Sequence, residues 1–364
     1  MIQLKELINH IDVLQIEGNT DQEILGLAFD SRKVEAGFLF FAVKGTHTDG
    51  HQFLHAALDK GAVAIVCEQT PENCPPNVAC IRVEDSSLAM GKMAAAFYGN
   101  PSLRLILVGV TGTNGKTTIA TLLYRMVREM GFKAGLISTI VYRIDDRSLP
   151  ASHTTPDPLQ LQSLLKQMAD EGCAYCFMEV SSHAVDQKRI EGLRFTGGIF
   201  TNLTHDHLDY HKTFDAYLKA KKQFFDALGP EAFALSNSDD KNGPVMLQNT
   251  GARKHDYSTR TLADFRGKIL ESHFDGTLMQ INGKEVWTQF VGSFNAYNLL
   301  AVYGALCLLD FDPEKVLLAL SKMVPVDGRF ELIRSAGGIY VVVDYAHTPD
   351  ALRNVLSTID ALRT

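Results

Sequence analysis

Residues 103–119, LRLILVGVTGTNGKTTI, constrain the fold of this chain more than any other stretch. Residues 105–110 form an apolar, β-branched run of strand length. Glycines at 109, 112 and 115 interrupt the run, and the helical pattern KTTIATLLYRMVREM follows. A strand, a glycine turn and a helix opening with Lys-Thr form a phosphate cradle, because backbone N–H groups and the positive end of the helix can both face an anion.

Two side chains after the last glycine carry the chemistry of such a cradle. Lys116 would reach the β- and γ-phosphates of a nucleotide, and Thr117 would offer its hydroxyl to magnesium. The strict pattern G-x-x-x-x-G-K-[ST] needs glycine where this chain has Val110. An ordinary strand-to-helix turn is the alternative, but the Lys-Thr-Thr run directly after the glycine favours a nucleotide site. The predicted phosphate-binding residues are Gly112, Thr113, Asn114, Gly115, Lys116, Thr117 and Thr118.

Composition limits the partners. The chain has 364 residues, enough for two or three domains. A net charge of −7 gives no indication of a general nucleic-acid binder. The first residues lack an apolar signal core, and no apolar run is long enough to span a bilayer. We therefore expect a cytoplasmic monomer that binds neither nucleic acid nor membrane.

Three segments are predicted. Residues 1–100 form a small α/β domain, and residues 101–330 form a central domain with a mostly parallel sheet. Residues 331–364 make one strand–helix unit, which is too small to bury a core of its own. We interpret it as the beginning of a truncated C-terminal domain, although it could instead pack on the central one.

A carboxylate and a group of histidines follow two predicted strands. Glu179 lies near the end of a buried strand at 174–180, where open α/β sheets hold ligands. It could bind the magnesium that Thr117 touches, or it could be an ordinary solvated acid. Histidines 205, 207 and 211 are dense enough to suggest a metallohydrolase. Magnesium prefers oxygen, so we expect one histidine near the metal and the others in supporting roles.

The helix predicted over 213–228 contains a lysine on its apolar side. At about 100° per residue, the apolar side chains form one stripe, made by Tyr217, Leu218, Ala220, Phe224, Phe225 and Leu228. Lys221 falls within that stripe. A desolvated lysine has a lowered pKa and is nucleophilic, so it could add carbon dioxide and present a carbamate to a metal. The alternative is a lysine whose ammonium reaches out of the stripe to water, and the pattern leaves the two about equal.

Polar residues at two helix starts are further candidates. Thr154 and Thr155 precede a helix that Asp157 caps and Pro158 begins, so their hydroxyls could bind an anionic group. Asn295 and Asn298 share one face of a later helix, where their amides could contact a base edge or act only as caps.

The motifs together resemble the Mur ligase family, which builds the peptide of bacterial cell-wall precursors. The similar stretches cover essentially the whole chain: DSRKVEAGFLFFAVKG, TDGHQF, TGTNGKTT, HTTPDP, MEVSSHAVDQKRI, FTNLTHDHLDYH, AYLKAKKQFF, GSFNAYNLL, DGRFE and DYAHTPDAL. Because TGTNGKTT matches the phosphate loop of that family, the departure at Val110 is explained. Within the family, the similarity is greatest to the members that add the third residue of the peptide.

The resemblance implies a fold and a set of site residues. It implies a P-loop ATPase-like central domain, a UDP-sugar-binding N-terminal domain and the start of a Rossmann-like, amino-acid-binding C-terminal domain. The implied substrate residues are Ser31, Thr46, His47, Thr48, Thr154, Thr155, Ser181, Gln187 and Arg189. The implied nucleotide residues are the phosphate loop, Asn298 and Arg329, the last two toward the adenosine. Thr117 and Glu179 would bind one magnesium, and His207 and carbamylated Lys221 a second. Lys116, His207 and Lys221 would be the catalytic residues.

The resemblance also implies a reaction. ATP would activate the γ-carboxylate of UDP-N-acetylmuramoyl-L-Ala-D-Glu, and a diamino acid would be joined to it. The motif that selects the diamino acid would lie beyond residue 364, so meso-diaminopimelate is favoured over L-lysine only as the more widespread substrate, and we expect poor ligation by this chain. Three other classes stay open: a folylpolyglutamate-synthetase-type ligase, a metallohydrolase and a nucleotide-binding switch without enzymatic activity.

Overall fold

The structure is a computed structural model that describes residues 2–46, 48–71, 74–335 and 337–362. His47, which the resemblance places in the substrate site, lies outside the described residues. The chain divides into two compact units. The first unit contains Met1–Arg104, Pro156–Gln167 and Asp186–Leu193, and the second contains Leu105–Thr155, Met168–Val185 and Arg194–Thr364.

The first unit is built on a five-stranded sheet. Along the first hundred residues the elements are β1 Ile2–Gln3, α1 Leu4–Ile8, β2 Gln15–Glu17, β3 Glu23–Ile24, β4 Gly26–Ala28, β5 Phe38–Phe41, α2 Leu54–Asp59, β6 Ala64–Cys67, β7 Ala79–Arg82 and α3 Ser86–Phe97. The sheet order is β2-β7-β6-β5-β4, and only the β2–β7 pair is antiparallel. Successive residues of β5 pack on opposite faces of the sheet, so that Leu39 lies in one core and Phe40 in another. Because both faces are buried, the strand is an unbroken apolar run.

The second part of the chain continues in the same alternation of strands and helices. Its elements are β8 Ile106–Thr111, α4 Lys116–Glu129, β9 Ala134–Ile137, β10 Val141–Ile144, β11 Arg147–Pro150, α5 Pro158–Asp170, β12 Tyr175–Glu179, α6 Ser182–Asp186, β13 Gly197–Phe200, α7 Leu208–His211, α8 Phe214–Asp226, β14 Phe233–Asn237, α9 Gly243–Met246, β15 Arg253–Ser258, β16 Phe265–His273, β17 Gly276–Ile281, β18 Lys284–Thr288, α10 Ser293–Leu308, α11 Pro313–Lys322, β19 Glu331–Arg334, β20 Tyr340–Val343 and α12 Pro349–Leu362. Most of α5 belongs to the first unit.

One eleven-stranded sheet organises the second unit. Its order is β11-β10-β9-β12-β8-β13-β14-β15-β16-β17-β18. The strands from β9 to β16 in that order run parallel, and antiparallel strands extend both edges. Glu179 on β12 pairs with Val110 on β8, and Thr111 pairs with Phe200 on β13. The register therefore brings the carboxyl ends of these three strands together, where an open parallel sheet binds its ligands.

The fold class predicted from sequence, α/β with a mostly parallel central sheet, is confirmed. The division into three domains stays a prediction. Cys173 and Cys176 are buried free thiols, whereas Cys74 and Cys80 form a disulfide. Within the described part of the chain, none of the helices has the length and apolar character needed to cross a bilayer.

Candidate active site

The turn between β8 and α4 requires glycine at two positions. Gly112 and Gly115 have φ angles of 148° and 90°, where side chains are disfavoured. A Cβ on Gly112 would also collide with the Thr201 hydroxyl, and one on Gly115 with the side-chain oxygen of Asn298. The backbone is therefore left bare in front of the helix N-terminus, as a phosphate site requires.

Lys116 folds back over this loop. Its ammonium donates to the carbonyl oxygens of Gly112 at 2.9 Å and Thr113 at 2.8 Å. Burial lowers the pKa of Lys116, and the negative charges of Glu179 and Asp206 oppose that shift. The amine thus lies over the turn with neutral carbonyls as its partners, in the position where phosphate oxygens would be stronger acceptors.

Glu179 is buried rather than solvated, so its interpretation as an ordinary strand-end acid is wrong. Only 1% of its surface is exposed. Its Oε1 accepts hydrogen bonds from the Thr117 hydroxyl at 2.9 Å and from the Thr139 backbone N–H at 2.7 Å. The Thr139 hydroxyl also donates to Oε2 at 3.2 Å. The carboxylate and the Thr117 hydroxyl are therefore held together as a pair of hard oxygen ligands, which suits magnesium.

Lys221 is also buried, and the alternative of an ammonium reaching solvent is wrong. Its residue is 1% exposed, and its Nζ donates to the Gly112 carbonyl at 2.8 Å. Burial and the nearby positive charge of Lys116 hold the pKa of Lys221 well below its ordinary value, with Asp206 acting in the opposite direction. Two amines thus share one backbone carbonyl, and the deeper amine is the one favoured to be neutral.

The histidine-rich loop lies next to these amines. His207 has a left-handed φ of 53°, a conformation that costs energy for a residue other than glycine. The Asp206 carboxylate accepts from the His207 backbone N–H at 2.8 Å and lies 3.4 Å from its ring Nε2. Burial lowers the pKa of His207, which favours the neutral ring that a metal would need.

The other two histidines of the loop differ in position. His211 is buried, and its Nε2 lies 2.9 Å from the hydroxyl of Ser182. His205 is exposed and packs against Phe214. Among the described residues, no group of three or more His, Cys, Asp or Glu side chains has the geometry to hold a metal.

The predicted substrate residues are divided between the two units. Thr155 and Ser181 lie in the second unit, where the Thr155 hydroxyl donates to the Glu179 backbone carbonyl at 2.7 Å and accepts from the Ser181 backbone N–H at 3.2 Å. In the first unit, the guanidinium of Arg189 donates to the Gln187 side-chain oxygen at 3.0 and 2.6 Å. Thr154 belongs to the second unit, and Ser31, Thr46 and Thr48 belong to the first.

Asn298 and Arg329 contact the phosphate-loop region from two later segments. Asn298 is buried on α10, where its amide nitrogen donates to the Asn295 side-chain oxygen at 3.1 Å. Arg329 donates to the Thr117 hydroxyl at 3.0 Å, and its guanidinium lies over the Tyr345 ring at 4.8 Å. Its Nε is buried and has no hydrogen-bond partner within the described part of the chain. Their predicted roles toward the adenosine stay predictions.

One cavity of about 470 Å³ in the second unit collects most of the predicted residues. Those that line it are Thr113, Asn114, Gly115, Lys116, Thr117, Thr118, Thr154, Glu179, Ser181, His207, Lys221, Asn298 and Arg329. The candidates for nucleotide binding, metal binding and catalysis therefore lie together in space, although Thr113 and Arg329 are more than two hundred residues apart in sequence.

The cavity also contains acids that the sequence reasoning missed. The negative charge of Asp206 acts on both lysines of the cavity. Asp239 accepts from Ser258, Thr259 and the hydroxyl of Tyr297, the last at 2.9 Å. Asp239 follows strand β14 at the same sheet edge as Glu179, so the strand-end argument applied to Glu179 would have found it.

Comparison with known families gives three matches along the chain. Residues 110–306 match the description "Mur ligase middle domain". Residues 23–98 match "Mur ligase family, catalytic domain", and residues 328–364 match "Mur ligase, glutamate ligase domain".

Individual proteins are similar over nearly the whole chain. The UDP-N-acetylmuramoyl-L-alanyl-D-glutamate--2,6-diaminopimelate ligase of Phocaeicola vulgatus is 60% identical over 358 residues, which are 98% of this chain and 74% of that protein. The ligase of the same name from Cytophaga hutchinsonii is 53% identical and matches 100% of this chain and 75% of its own length. A solved structure of a ligase with that name has a TM-score of 0.84 and 30% identity, covering 99% of this chain and 74% of its own.

Proposed function

The chain belongs to the Mur ligase family, whose members are ATP-dependent, ADP-forming amide ligases, and from that premise we propose that it joins 2,6-diaminopimelate to UDP-N-acetylmuramoyl-L-alanyl-D-glutamate. The bond formed is an amide at the γ-carboxylate of D-glutamate, a step in peptidoglycan synthesis. The names of the relatives support this acceptor and this amino acid. We further propose that the protein works as a monomer in the cytoplasm.

One observation carries the proposal at the level of chemistry. A glycine phosphate loop, a buried carboxylate at Glu179 and a buried amine at Lys221 meet in one cavity. A protein that only bound a nucleotide would need the loop and one metal ligand. The desolvated amine of Lys221 would then have no function. A metallohydrolase would need a preformed set of metal ligands and no phosphate loop.

The reaction needs the acceptor to be activated, because a carboxylate does not react with an amine at neutral pH. Transfer of the γ-phosphoryl group of ATP to the D-glutamate carboxylate gives an acyl phosphate and ADP. The amine then attacks the carbonyl carbon, and inorganic phosphate leaves from the tetrahedral intermediate. The protein takes little part in the covalent chemistry of the first step. Its contribution to catalysis there is mainly to position the reactants and to stabilise charge.

The charged side chains of the cavity have separate roles in that step. Lys116 would exchange its two carbonyl partners for phosphate oxygens and offset the repulsion between the γ-phosphate and the incoming carboxylate. Arg329, which reaches Thr117, adds a second positive charge at the same place. Asn298 packs against Gly115, so α10 would fix the position of the nucleotide end of the loop.

The residues present fit magnesium at two places. Thr117 and Glu179 would hold one ion next to the phosphates, and His207 with a modified Lys221 would hold the other. When bound, such ions shield the negative charges that gather around the phosphoryl group. The Glu179 oxygens are already oriented by Thr139, so little reorganisation is needed on binding.

Lys221 would become a metal ligand through carbamylation. Its neutral amine adds carbon dioxide with release of one proton, which converts a neutral side chain into an anionic carbamate. The burial of Lys221 and its closeness to Lys116 both favour the neutral amine that this addition requires. The carbamate would then lie beside the Lys116 ammonium, so the modification would create an attraction between opposite charges.

Each unit contains its own candidate residues for binding the acceptor. Thr154, Thr155 and Ser181 offer hydroxyl and backbone groups near Glu179, and Gln187 and Arg189 offer a charge-assisted pair for a carboxylate. The side chains of Ser31, Thr46 and Thr48, with His47, would bind the UDP-sugar end.

A calorimetric titration tests the acceptor. The protein is titrated with UDP-N-acetylmuramoyl-L-alanyl-D-glutamate in the presence of magnesium and a non-hydrolysable ATP analogue. We expect saturable binding that Arg189→Ala weakens about tenfold or more, because a charge-assisted hydrogen-bond pair is lost, while Arg253→Ala, an exposed arginine outside the cavity, binds as the wild type does. If the protein is folded and binds the ATP analogue but does not bind the acceptor, the muramoyl assignment is refuted.

ADP release in the presence of either amino acid tests the second substrate. Diaminopimelate should stimulate ADP formation and L-lysine should not. The opposite preference would replace diaminopimelate by lysine without affecting the rest of the proposal.

A further inference from the structure

We infer that Tyr217 is a positioning residue that keeps α8, the helix that carries Lys221, in register with the phosphate loop. The helical pattern alone assigns Tyr217 to the apolar core, and the residue is indeed fully buried. Its hydroxyl and its ring, however, contact different parts of the active site. The inference rests on the proposed function in two respects, the identification of the loop as the ATP site and the carbamylation of Lys221.

The hydroxyl joins three segments at one point. Tyr217 Oη lies 3.1 Å from the hydroxyl of Thr113 in the phosphate loop. The Thr113 hydroxyl also lies 3.3 Å from the Thr204 carbonyl, to which it donates, and accepts from the Thr204 backbone N–H at 3.0 Å. Since a threonine hydroxyl has one proton, the arrangement that satisfies every group has Tyr217 donating to Thr113.

The three joined segments are the ones that carry the reactive groups. Thr113 belongs to the loop that would bind phosphate, and Thr204 begins the loop that ends in His207. Tyr217 lies one helical turn before Lys221 on α8. The hydrogen bonds at Thr113 therefore fix the relative positions of the phosphate loop, the histidine loop and the lysine.

The ring of Tyr217 forms part of the surroundings of Lys221. The Lys221 ammonium lies 4.7 Å from the ring centroid, within the range of a cation–π contact. The ring also packs against His211 at 5.3 Å and lies 6.2 Å from His207. Truncation of the ring would thus open space next to both the amine and the histidines.

The contact of Tyr217 with the phosphate loop does not depend on the chemical state of Lys221. Lys221 itself connects α8 to the phosphate loop through the Gly112 carbonyl, but this bond depends on the amine. On carbamylation the nitrogen keeps one N–H and the side chain changes its charge, so the bond weakens or moves. The phenol is unaffected by that change, and it maintains the position of the helix in both chemical states of the lysine.

Tyr217→Phe isolates the hydroxyl, since it retains the ring. The dissociation constant of a non-hydrolysable ATP analogue with magnesium should rise about threefold to tenfold, the range expected for one buried hydrogen bond. KM for ATP should rise by the same factor, while KM for the muramoyl acceptor stays unchanged. Thr113→Val should have at least as large an effect, because it also removes the two hydrogen bonds with Thr204. The double variant should be no weaker than Thr113→Val alone, because that substitution has already removed the bond with Tyr217.

Tyr124→Phe is the matched control. Tyr124 is also buried, and its phenylalanine variant loses the hydrogen bonds of a hydroxyl that donates to the Asp145 carbonyl at 2.8 Å and accepts from Arg128 at 3.2 Å. Tyr124 does not line the 470 Å³ cavity. It should lower the unfolding temperature without changing the ATP-analogue affinity. Tyr217→Leu, which also removes the ring, should in addition decrease the amount of carbamate that labelled bicarbonate deposits on Lys221, as read by carbon-13 NMR.

The results of these experiments distinguish a structural role of Tyr217 from a wrong assignment of the ATP site. If Tyr217→Phe loses stability as Tyr124→Phe does but binds the analogue as tightly as the wild type, Tyr217 is a core residue and the inference is overturned. If the double variant is weaker than Thr113→Val, Tyr217 acts by another route, which overturns the inference as well. If the wild type does not bind the analogue, the proposed ATP site is wrong and the inference fails with it.

Discussion

Lys221 is the residue whose chemistry depends most on where the chain places it. Its amine is withdrawn from water, has a carbonyl as acceptor and lies near a second amine, that of Lys116. Burial and the second amine disfavour the charged form of Lys221. The neutral carbonyl stabilises that charged form less than a carboxylate would. Among the described residues, no carboxylate forms an ion pair with Lys221, so its burial destabilises the fold at a position where a nucleophilic amine would be useful.

This cost gives a pH-dependent prediction for Lys221→Met. The pKa of Lys221 in the folded protein lies well below its ordinary value of about 10.5, so the unfolded chain binds more protons between the two values. Folding stability of the wild type should therefore rise with pH across that window. The methionine variant should be more stable than the wild type at neutral pH, and the difference should shrink as the pH approaches 10.5.

Urea unfolding in bicarbonate-free buffer, at several pH values, measures this difference. Lys219→Met, a change on the exposed side of the same helix, serves as control and should show no such trend. A wild type that is more stable than Lys221→Met at every pH would mean that the amine is fully compensated in the fold.

Glu179 supports a second prediction at the same scale. Glu179→Gln keeps the shape and can still accept from Thr117 and Thr139, but it loses the charge that attracts a metal. We expect magnesium-dependent binding of an ATP analogue to weaken at least tenfold, with little change in unfolding temperature. Equal affinities of the two proteins for the analogue with magnesium would exclude Glu179 as a ligand, and the exposed Glu171→Gln gives the background for charge removal.

At the scale of single elements, the sequence predicts helices better than it predicts what they contact. The helices predicted over 213–228 and from 158 to about 171 are observed as α8 and α5. Their starts were readable because the capping residues act locally. Thr213 accepts from the Ala216 N–H, and Asp157 accepts from the Gln160 N–H.

The remaining features depend on contacts that no local pattern encodes. The bond from Tyr217 to Thr113 joins residues 104 positions apart, and the bond from Tyr297 to Asp239 joins residues 58 apart. Both tyrosines look like ordinary apolar helix residues in the sequence. The antiparallel strands β17 and β18, which extend the parallel sheet, likewise follow from pairing partners and not from their composition. Burial of Lys221 was foreseeable as one of two alternatives, and only the packed structure decides between them.

Gly115 of the phosphate loop can be compared with a second glycine, Gly131, whose backbone has the same left-handed φ. Gly115 and Gly131 both have φ of 90°, but only Gly115 has a neighbour, Asn298, where a Cβ would be placed. Alanine at either position should cost about 1–2 kcal/mol of stability from the left-handed backbone. Gly115→Ala should in addition decrease the affinity for an ATP analogue at least tenfold, because Asn298 is pushed aside.

Calorimetry with the analogue and thermal unfolding of both variants make the comparison. Equal nucleotide affinity of Gly115→Ala and Gly131→Ala would show that the loop tolerates a side chain at its last glycine and would contradict its role as a phosphate cradle.

At the scale of the whole molecule, the candidate residues fall into two sets. The phosphate, metal and lysine residues all belong to the second unit, whereas the UDP-sugar candidates belong to the first. In the first unit, the loop that contains Thr46 and Thr48 is closed by the pairing of Lys44 with Asp49. The Asp49 carboxylate lies 2.6 Å from the His51 Nδ1.

The His51 ring connects this loop to the sheet of the first unit. Its Nε2 accepts from the backbone N–H of Glu68 at 3.0 Å, and the Glu68 carboxylate accepts from the hydroxyl of Ser86 at 2.9 Å. The Nδ1 therefore carries the proton that is donated to Asp49. Loss of the ring would leave the loop closed at its base but detached from β6 and α3.

His51→Ala should consequently separate the two binding events. We expect affinity for UDP-N-acetylmuramoyl-L-alanyl-D-glutamate to fall several-fold and affinity for the ATP analogue to stay at the wild-type level, whereas Glu179→Gln should give the opposite result. The exposed His55→Ala on α2 is the control and should change neither. Because the two sets of residues lie in different units, a loss of both affinities in His51→Ala would mean that the substitution acts through the stability of the whole chain, and unfolding measurements on the same samples would identify that case.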